Sequence, residues 1–249
     1  MFPFLHIGPL TIPTPGLIVI LGLWVGLSIA EKYSKKWGIE ASTIYNLIFT
    51  SLIAGLIIAR LVYVFRHYPS FIEDPISIIL PNPNMLDLSG GLVSGALAAL
   101  IYANRKKLDF WRTADALMHI FAMLSISASL ANLASGNAFG SPANLPWSID
   151  LWGARRHPVQ LYEMLGASLV LWILWPSRSW LSVLKPGGLV LLFLALTSLN
   201  KLVLEAFRGD SILILERYRT MQVLALAVLL ISVIALRKKL PVPTSLNIG

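Results

Sequence analysis

The chain has 249 residues, 56% of them hydrophobic and only 13% charged, whereas soluble domains carry about a quarter charged residues. It has no cysteine, which excludes disulfides, thiolate metal sites and a cysteine nucleophile of its own. The formal charge of +8 lies in short loops between apolar runs, where it sets orientation and meets anionic lipid, so nucleic acid is not an expected partner.

Seven apolar runs follow one another at residues 16–30, 43–65, 88–103, 114–134, 161–175, 187–204 and 221–236. A bilayer core asks for about 17–25 apolar residues per helical span, so the shorter runs must extend into adjoining residues. The fold class expected is all-α: one polytopic transmembrane domain over residues 1–249, with about seven helices. Pro15 and Pro158 suit helix starts, because a first-turn proline forfeits no hydrogen bond; Gly209 suits a helix stop. Lys and Arg divide twelve to six between the two sets of loops. The positive-inside rule then puts the N-terminus outside and the C-terminus in the cytoplasm. The first residues carry neither a basic n-region nor an A-x-A-like site, so no cleaved signal peptide is read.

This orientation collects the polar, glycine-bearing segments on the outer side. In chain order, Arg60 in "IIARLVYVF" lies near the outer end of span two and reads as a snorkelling or a functional arginine. "DLSGGLVSG" opens span three, where Gly90, Gly91 and Gly95 suit close helix packing. His119, inside span four, reads either as a proton carrier or as a hydrogen-bonded packing residue. In "NLASGNAFGSP", Gly136 and Gly140 suit tight turns among Asn, Ser and Pro. "RRHPVQLYE" opens span five, with Gln160 and Glu163 on one first-turn face; Tyr162 suits the interfacial aromatic belt, and Arg155 and Arg156 suit phosphate headgroups. On span six, Thr197, Lys201, Glu205 and Arg208 recur at helical spacing and share one face. They read as a basic ridge for an anionic headgroup or as a structural ion pair. The four histidines have no metal-ligand spacing, so neither a metal nor another cofactor is expected.

Several of these segments together resemble the phosphatidylglycerol–prolipoprotein diacylglyceryl transferase family, as a divergent member. "HPVQLYE" is similar to its H-P-(S/T)-Q-L-Y-E segment, and "ARLVYV" resembles its A-R-x-x-Y pattern. "NLASGNAFG" is similar to N-x-x-N-G-E-x-x-G, keeping Asn132, Gly136 and Gly140. "KLVLEAFRGD" resembles R-x-x-x-E-x-x-R-x-x-D, keeping Glu205 and Arg208. The interval from Asp115 to Asn132 also suits the family. Departures stand beside these matches. Ser89 occupies the place of the family's span-three histidine, Ser129 that of an arginine in G-R-x-G-N, and Lys201 that of the first span-six arginine. Ser135 and Asn137 replace the family's second asparagine and its glutamate.

The resemblance implies a multi-pass protein of the bacterial inner (plasma) membrane. It implies transfer of diacylglyceryl from phosphatidylglycerol to the lipobox cysteine of a prolipoprotein, recognised by its signal peptide, with release of glycerol phosphate. On that reading Glu205, Arg208, Asn132, His157 and Glu163 are the catalytic candidates. Lys201, Arg60, Gly136, Gly140, Gln160, Tyr162, Arg156 and Ser89 are the substrate-binding candidates. Lys201 and Arg208 would meet the phosphate, Glu205 would orient them, and His157 or Glu163 would take a proton. His119 is the residue read as a replacement for the missing family histidine. Two alternatives remain: a catalytically silent relative that binds phospholipid or prolipoprotein, and a small transporter.

Overall fold

The structure is a computed structural model that describes residues 3–8, 10–79 and 85–240. It is mostly helical, and every one of the seven apolar runs is a helix: α1 (Thr14–Tyr33), α2 (Ala41–Arg66), α4 (Leu88–Arg105), α5 (Phe110–Ser135), α6 (Val159–Ile173), α7 (Gly188–Leu204) and α8 (Thr220–Arg237). A short helix, α3 (Tyr68–Glu73), follows α2. Among the described residues five helices are long and apolar enough to cross a membrane: α1 with its following turn, α2, α5, α7 with its following turn, and α8. At about 1.5 Å per residue, the 15 residues of α6 span less than a bilayer core. The sequence reading missed three two-stranded antiparallel hairpins: β1 (Phe4–Ile7) with β2 (Leu10–Pro13), β3 (Ile149–Leu151) with β4 (Ala154–Arg156), and β5 (Leu213–Ile214) with β6 (Tyr218–Arg219).

The chain divides into two compact units, residues 1–33 with 114–249, and residues 34–113. In the second unit α2 and α4 pack antiparallel through small residues. A Cβ on Gly91 would meet that of Ala59 at 3.0 Å, one on Gly95 the carbonyl of Ser51 at 3.1 Å, and one on Gly90 the Val62 side chain at 2.9 Å. Backbones this close leave no room for larger side chains, so these three glycines are packing residues, as the sequence suggested. Asp87 caps α4: its carboxylate accepts from the Gly90 N–H and the Ser89 hydroxyl, both at 2.6 Å, and pairs with Arg66. The Ser89 hydroxyl, the Gly90 N–H and the charges of Arg66 and His67 hold the Asp87 carboxyl below the usual aspartate range.

The first unit is ordered by contacts that fix helix direction. A Cβ on Gly22 would fall on Ser127 and one on Gly26 on Ile120 and Met123, so α1 runs antiparallel to α5. Asp115, buried near the start of α5, accepts from the N–H groups of Gly187 at 2.7 Å and Val190 at 2.8 Å. This tertiary cap satisfies otherwise unpaired donors at the start of α7 and makes α5 and α7 parallel. Gly166 against Asn200 and the Gln222–Leu202 hydrogen bond at 3.2 Å set α6 and α8 antiparallel to α7. The far end of α5, the start of α6, the end of α7 and the starts of α8 and α1 therefore share one end of this unit. The interior between the helices is mainly apolar, with Met118, Ile120, Val159, Leu174 and Leu189 almost fully enclosed beside the buried polar side chains of Asp115, His119, Gln160 and Glu205.

Candidate functional site

At that shared end the charged side chains of α6 and α7 meet. The Lys201 Nζ lies 2.8 Å from Oε1 of Glu163 and 3.4 Å from Oε2 of Glu205. The Arg208 guanidinium approaches Glu163 at 3.5 Å and Glu205 at 3.8 Å. Glu205 is 1% exposed and also accepts the Ser211 hydroxyl at 2.7 Å. The helical spacing that put Lys201, Glu205 and Arg208 on one face therefore corresponds to a real cluster. Its fourth corner, Glu163, comes from another helix 38 residues earlier.

Three residues that sequence reasoning did not single out complete it. Asp210 receives Arg208 through two parallel hydrogen bonds, Nε to Oδ1 and Nη2 to Oδ2, each 2.9 Å; such forked pairs are strong and directional. Ser211 joins through Glu205. Arg219, at the start of α8, donates from Nη1 to the carbonyls of Glu205 and Arg208 and to the Ser211 hydroxyl. The available signal was the density of polar residues in "RGDS" directly after the ridge. Arg219 gave no such signal, because in sequence it is one of several loop arginines.

The segment after α5 is stitched to this cluster by backbone. Gly140 and Arg208 form an antiparallel bridge, Ser141 N–H donates to Phe207 O at 2.8 Å, and Gly209 N–H donates to Phe139 O at 2.9 Å. A Cβ on Gly140 would sit 2.2 Å from the His157 carbonyl oxygen. Gly140 is therefore required by close approach rather than by a turn, which corrects the sequence reading. Gly136 does hold a left-handed turn, at φ 81°, and its carbonyl accepts the Trp152 indole at 3.0 Å. Asn132 enters through its backbone carbonyl, which accepts the Gly136 N–H at 2.9 Å.

The "RRHPVQLYE" segment forms the rim. Pro158 precedes α6. Gln160, fully enclosed, donates to Asn137 O at 2.8 Å. The His157 ring packs against those of Tyr162 and Phe207, with centroids 6.2 and 5.2 Å away, and among the described residues its Nδ1 has no hydrogen-bond partner. The Tyr162 hydroxyl accepts the Trp147 indole at 2.7 Å. Arg156 donates to Leu151 O at 2.9 Å and Gly140 O at 3.2 Å, and stacks over Phe139.

The remaining candidates hold other contacts. Arg60 and Ser89 belong to the second unit. The Arg60 guanidinium holds the loop after α3 by donating to the carbonyls of Ser77, Ile78 and Met85; Ser89 is committed to the Asp87 cap. Ser129 is buried within α5, its hydroxyl on Ser125 O at 3.1 Å. His119 lies thirteen residues before Asn132 on the same helix, about 20 Å away along its axis and one turn from Asp115 at the opposite end. That separation overturns His119 as a replacement base. Among the described residues no group of His, Cys, Asp and Glu is arranged to hold a metal.

Membrane-length helices whose polar ends enclose interlocked carboxylates and cations define a polytopic membrane protein with a candidate site at the helix ends. The family model for prolipoprotein diacylglyceryl transferase matches residues 3–237, and the chain belongs to that family. It is 29% identical over 235 residues to the phosphatidylglycerol–prolipoprotein diacylglyceryl transferase of Trichormus variabilis, with 89% of this chain and 83% of the relative covered. A relative of the same name in Clostridioides difficile is 29% identical, with 85% and 84% covered. Another, in Staphylococcus aureus, is 25% identical, with 92% and 85% covered.

Proposed function

We propose that the chain transfers a diacylglyceryl group from phosphatidylglycerol to the cysteine thiol of a prolipoprotein. The observation that carries this is the union of Glu163, Lys201, Glu205 and Arg208 with the Gly140 segment at one end of the first unit. These are the segments whose sequences resemble the family's.

In the reaction, the sulfur forms a bond to a glycerol carbon while that carbon's bond to the phosphate oxygen breaks. The phosphate oxygen keeps the electron pair and leaves as glycerol phosphate, and the thiol proton is lost. The thiolate is the attacking species. Glu163 is engaged by two cations, whereas the His157 Nδ1 is uncommitted among the described residues; His157 is the group we assign to take the proton. The carboxylates of Glu163 and Glu205 hold Lys201 and Arg208 as a rigid cationic frame facing the departing phosphate. Preorganised charge of this kind stabilises developing negative charge without reorganisation.

On this reading all seven helices that carry the apolar runs cross the inner membrane, α6 together with its adjoining residues, with the N-terminus outside, the C-terminus in the cytoplasm and the site at the outer leaflet. The twelve-to-six division of Lys and Arg supports that orientation. The acceptor is the prolipoprotein's signal-peptide cysteine. Ser89 and Ser129 supply neither a base nor a guanidinium, and a positioned acid or base contributes about 10²–10⁴-fold, so turnover is expected to be slow. The silent-binder and transporter alternatives have no comparable support.

Complementation tests the proposal. Expression in a bacterium depleted of its own transferase should restore growth and lipoprotein maturation. Stable, membrane-inserted protein that leaves prolipoprotein unmodified would refute it.

A further inference from the structure

The cations at the site are not equally paired. Lys201 sits between Glu163 and Glu205, and Arg208 is closed by the fork to Asp210 with Glu163 and Glu205 beside it. Arg219 differs. Its Nη1 rests on two carbonyls and a hydroxyl, all neutral acceptors. Among the described residues no carboxylate stands within ion-pair distance of it, and its Nε and Nη2 make no hydrogen bond. Arg156 is held in the same manner, by the carbonyls of Leu151 and Gly140 and the face of Phe139 at 4.8 Å.

The two guanidinium groups are moored to one piece of backbone. Arg156 donates to the Gly140 carbonyl and Arg219 to the Arg208 carbonyl, and Gly140 and Arg208 are partners in the antiparallel bridge. A guanidinium fixed on one edge presents its remaining N–H groups as a preset fork, the geometry that suits phosphate oxygens. A partly buried charge without a counter-ion favours binding an anion. The aligned backbone of α8, which begins one residue after Arg219, adds positive potential at the same place.

We infer that Arg219, seconded by Arg156, is the phosphate-binding element of this chain. The ligand is the phosphodiester of an anionic phospholipid or the phosphate monoester of the glycerol phosphate released. Arg219 thereby holds the phosphate beside the Lys201–Arg208 frame, whose charges are already met in part by Glu163, Glu205 and Asp210. The identity of the phosphate rests on the transferase reading; the existence of the anion site does not.

The test measures binding to the purified full-length chain by tryptophan fluorescence, in mild detergent. The probes are short-chain phosphatidylglycerol, free glycerol phosphate and, as an uncharged control, short-chain diacylglycerol. Arg219→Gln keeps a donor for the carbonyls and drops the charge; Arg219→Lys keeps the charge and drops the fork; exposed Arg237→Gln, at the far end of α8, is the control. The expected result is a tenfold or larger rise in Kd for phosphatidylglycerol in Arg219→Gln, partial recovery in Arg219→Lys, and no change in Arg237→Gln or toward diacylglycerol. A parallel loss toward glycerol phosphate places the site on substrate and product; a loss toward phospholipid alone restricts it to the diester. Unchanged phosphatidylglycerol affinity overturns the inference, as does an equal loss toward diacylglycerol, which marks a merely structural role. If wild type binds phosphatidylglycerol through Arg219 but fails to modify a lipobox peptide, the activity fails and the anion site stands. If wild type modifies the peptide and Arg219→Gln has an unchanged KM, the anion site fails and the activity stands.

Discussion

Replacing Gly140 by alanine is the sharpest perturbation the site offers. The new Cβ would lie 2.2 Å from the His157 carbonyl oxygen and 2.7 Å from the His157 Cβ, whereas ordinary contact begins at 3.4 Å. The backbones must therefore part by about 1.2 Å. Nothing there is a flexible side-chain end, so the shift falls on the bridge to Arg208 and on the Ser141–Phe207 and His157–Ser141 hydrogen bonds at 2.8 and 3.1 Å. Overpacking of this sort costs about 1–3 kcal/mol. A displacement near 1 Å of positioned groups costs about 10²-fold in rate. Gly153→Ala is the matching control: a Cβ there meets nothing within 4 Å, although φ is +74°. That substitution incurs only left-handed strain, about 1 kcal/mol. Lipobox-peptide modification and thermal unfolding, measured together, should show Gly140→Ala nearly inactive and modestly destabilised and Gly153→Ala active. Full activity in Gly140→Ala would refute the claim that this junction positions the site.

Three further outcomes are expected. Asp115→Asn removes the charge that caps α7 at 2.7 and 2.8 Å and should lower stability by about 1–3 kcal/mol; activity per folded molecule should stay near wild type, because the site is at the other end of α7. Glu205→Gln keeps a Ser211 partner but leaves Lys201 and Arg208 one carboxylate short. Thermal unfolding should show a loss at or below the lower end of the about 3–5 kcal/mol seen when buried pairs are broken, since Glu163 remains. Asp87, held below the usual aspartate range by the Ser89 and Gly90 hydrogen bonds and by Arg66, stabilises the folded state above the ordinary aspartate pKa. That contribution is lost as pH falls through the lowered value. Wild type and Asp87→Asn should therefore differ in melting temperature at neutral pH and converge in acid; a gap that widened in acid would contradict the assignment.

The helices were legible because burial in lipid imposes one coarse rule, an apolar run of sufficient length, and each run became a helix. The span-six face was legible for a similar reason: Lys201, Glu205 and Arg208 are neighbours through helical period alone. Glu163 was legible as a first-turn neighbour of Gln160 and as a catalytic candidate, but not as the partner of Lys201. Its partnership with Lys201 depends on α6 lying antiparallel to α7, which no local spacing encodes. Arg219 and Asp210 were lost in the same way, since the turn after α7 and the β5–β6 hairpin bring them back to the ridge. "SILIL" lacks the alternation that marks a half-buried strand, so the hairpin itself gave no sign. Gly140 was assigned to the right segment for the wrong reason, because a glycine needed for close approach and one needed for a turn look alike in sequence. Arg60, expected to snorkel or to act, instead gathers three backbone carbonyls.

The most direct measurement uses purified chain, phosphatidylglycerol and a synthetic lipobox peptide, with the peptide weighed by mass spectrometry. Wild type should add one diacylglyceryl group to the cysteine, and Glu163→Gln, which severs the 2.8 Å link between α6 and Lys201, should slow that addition at least tenfold. Peptide of unchanged mass with folded wild type, or equal rates for the two proteins, would contradict the account.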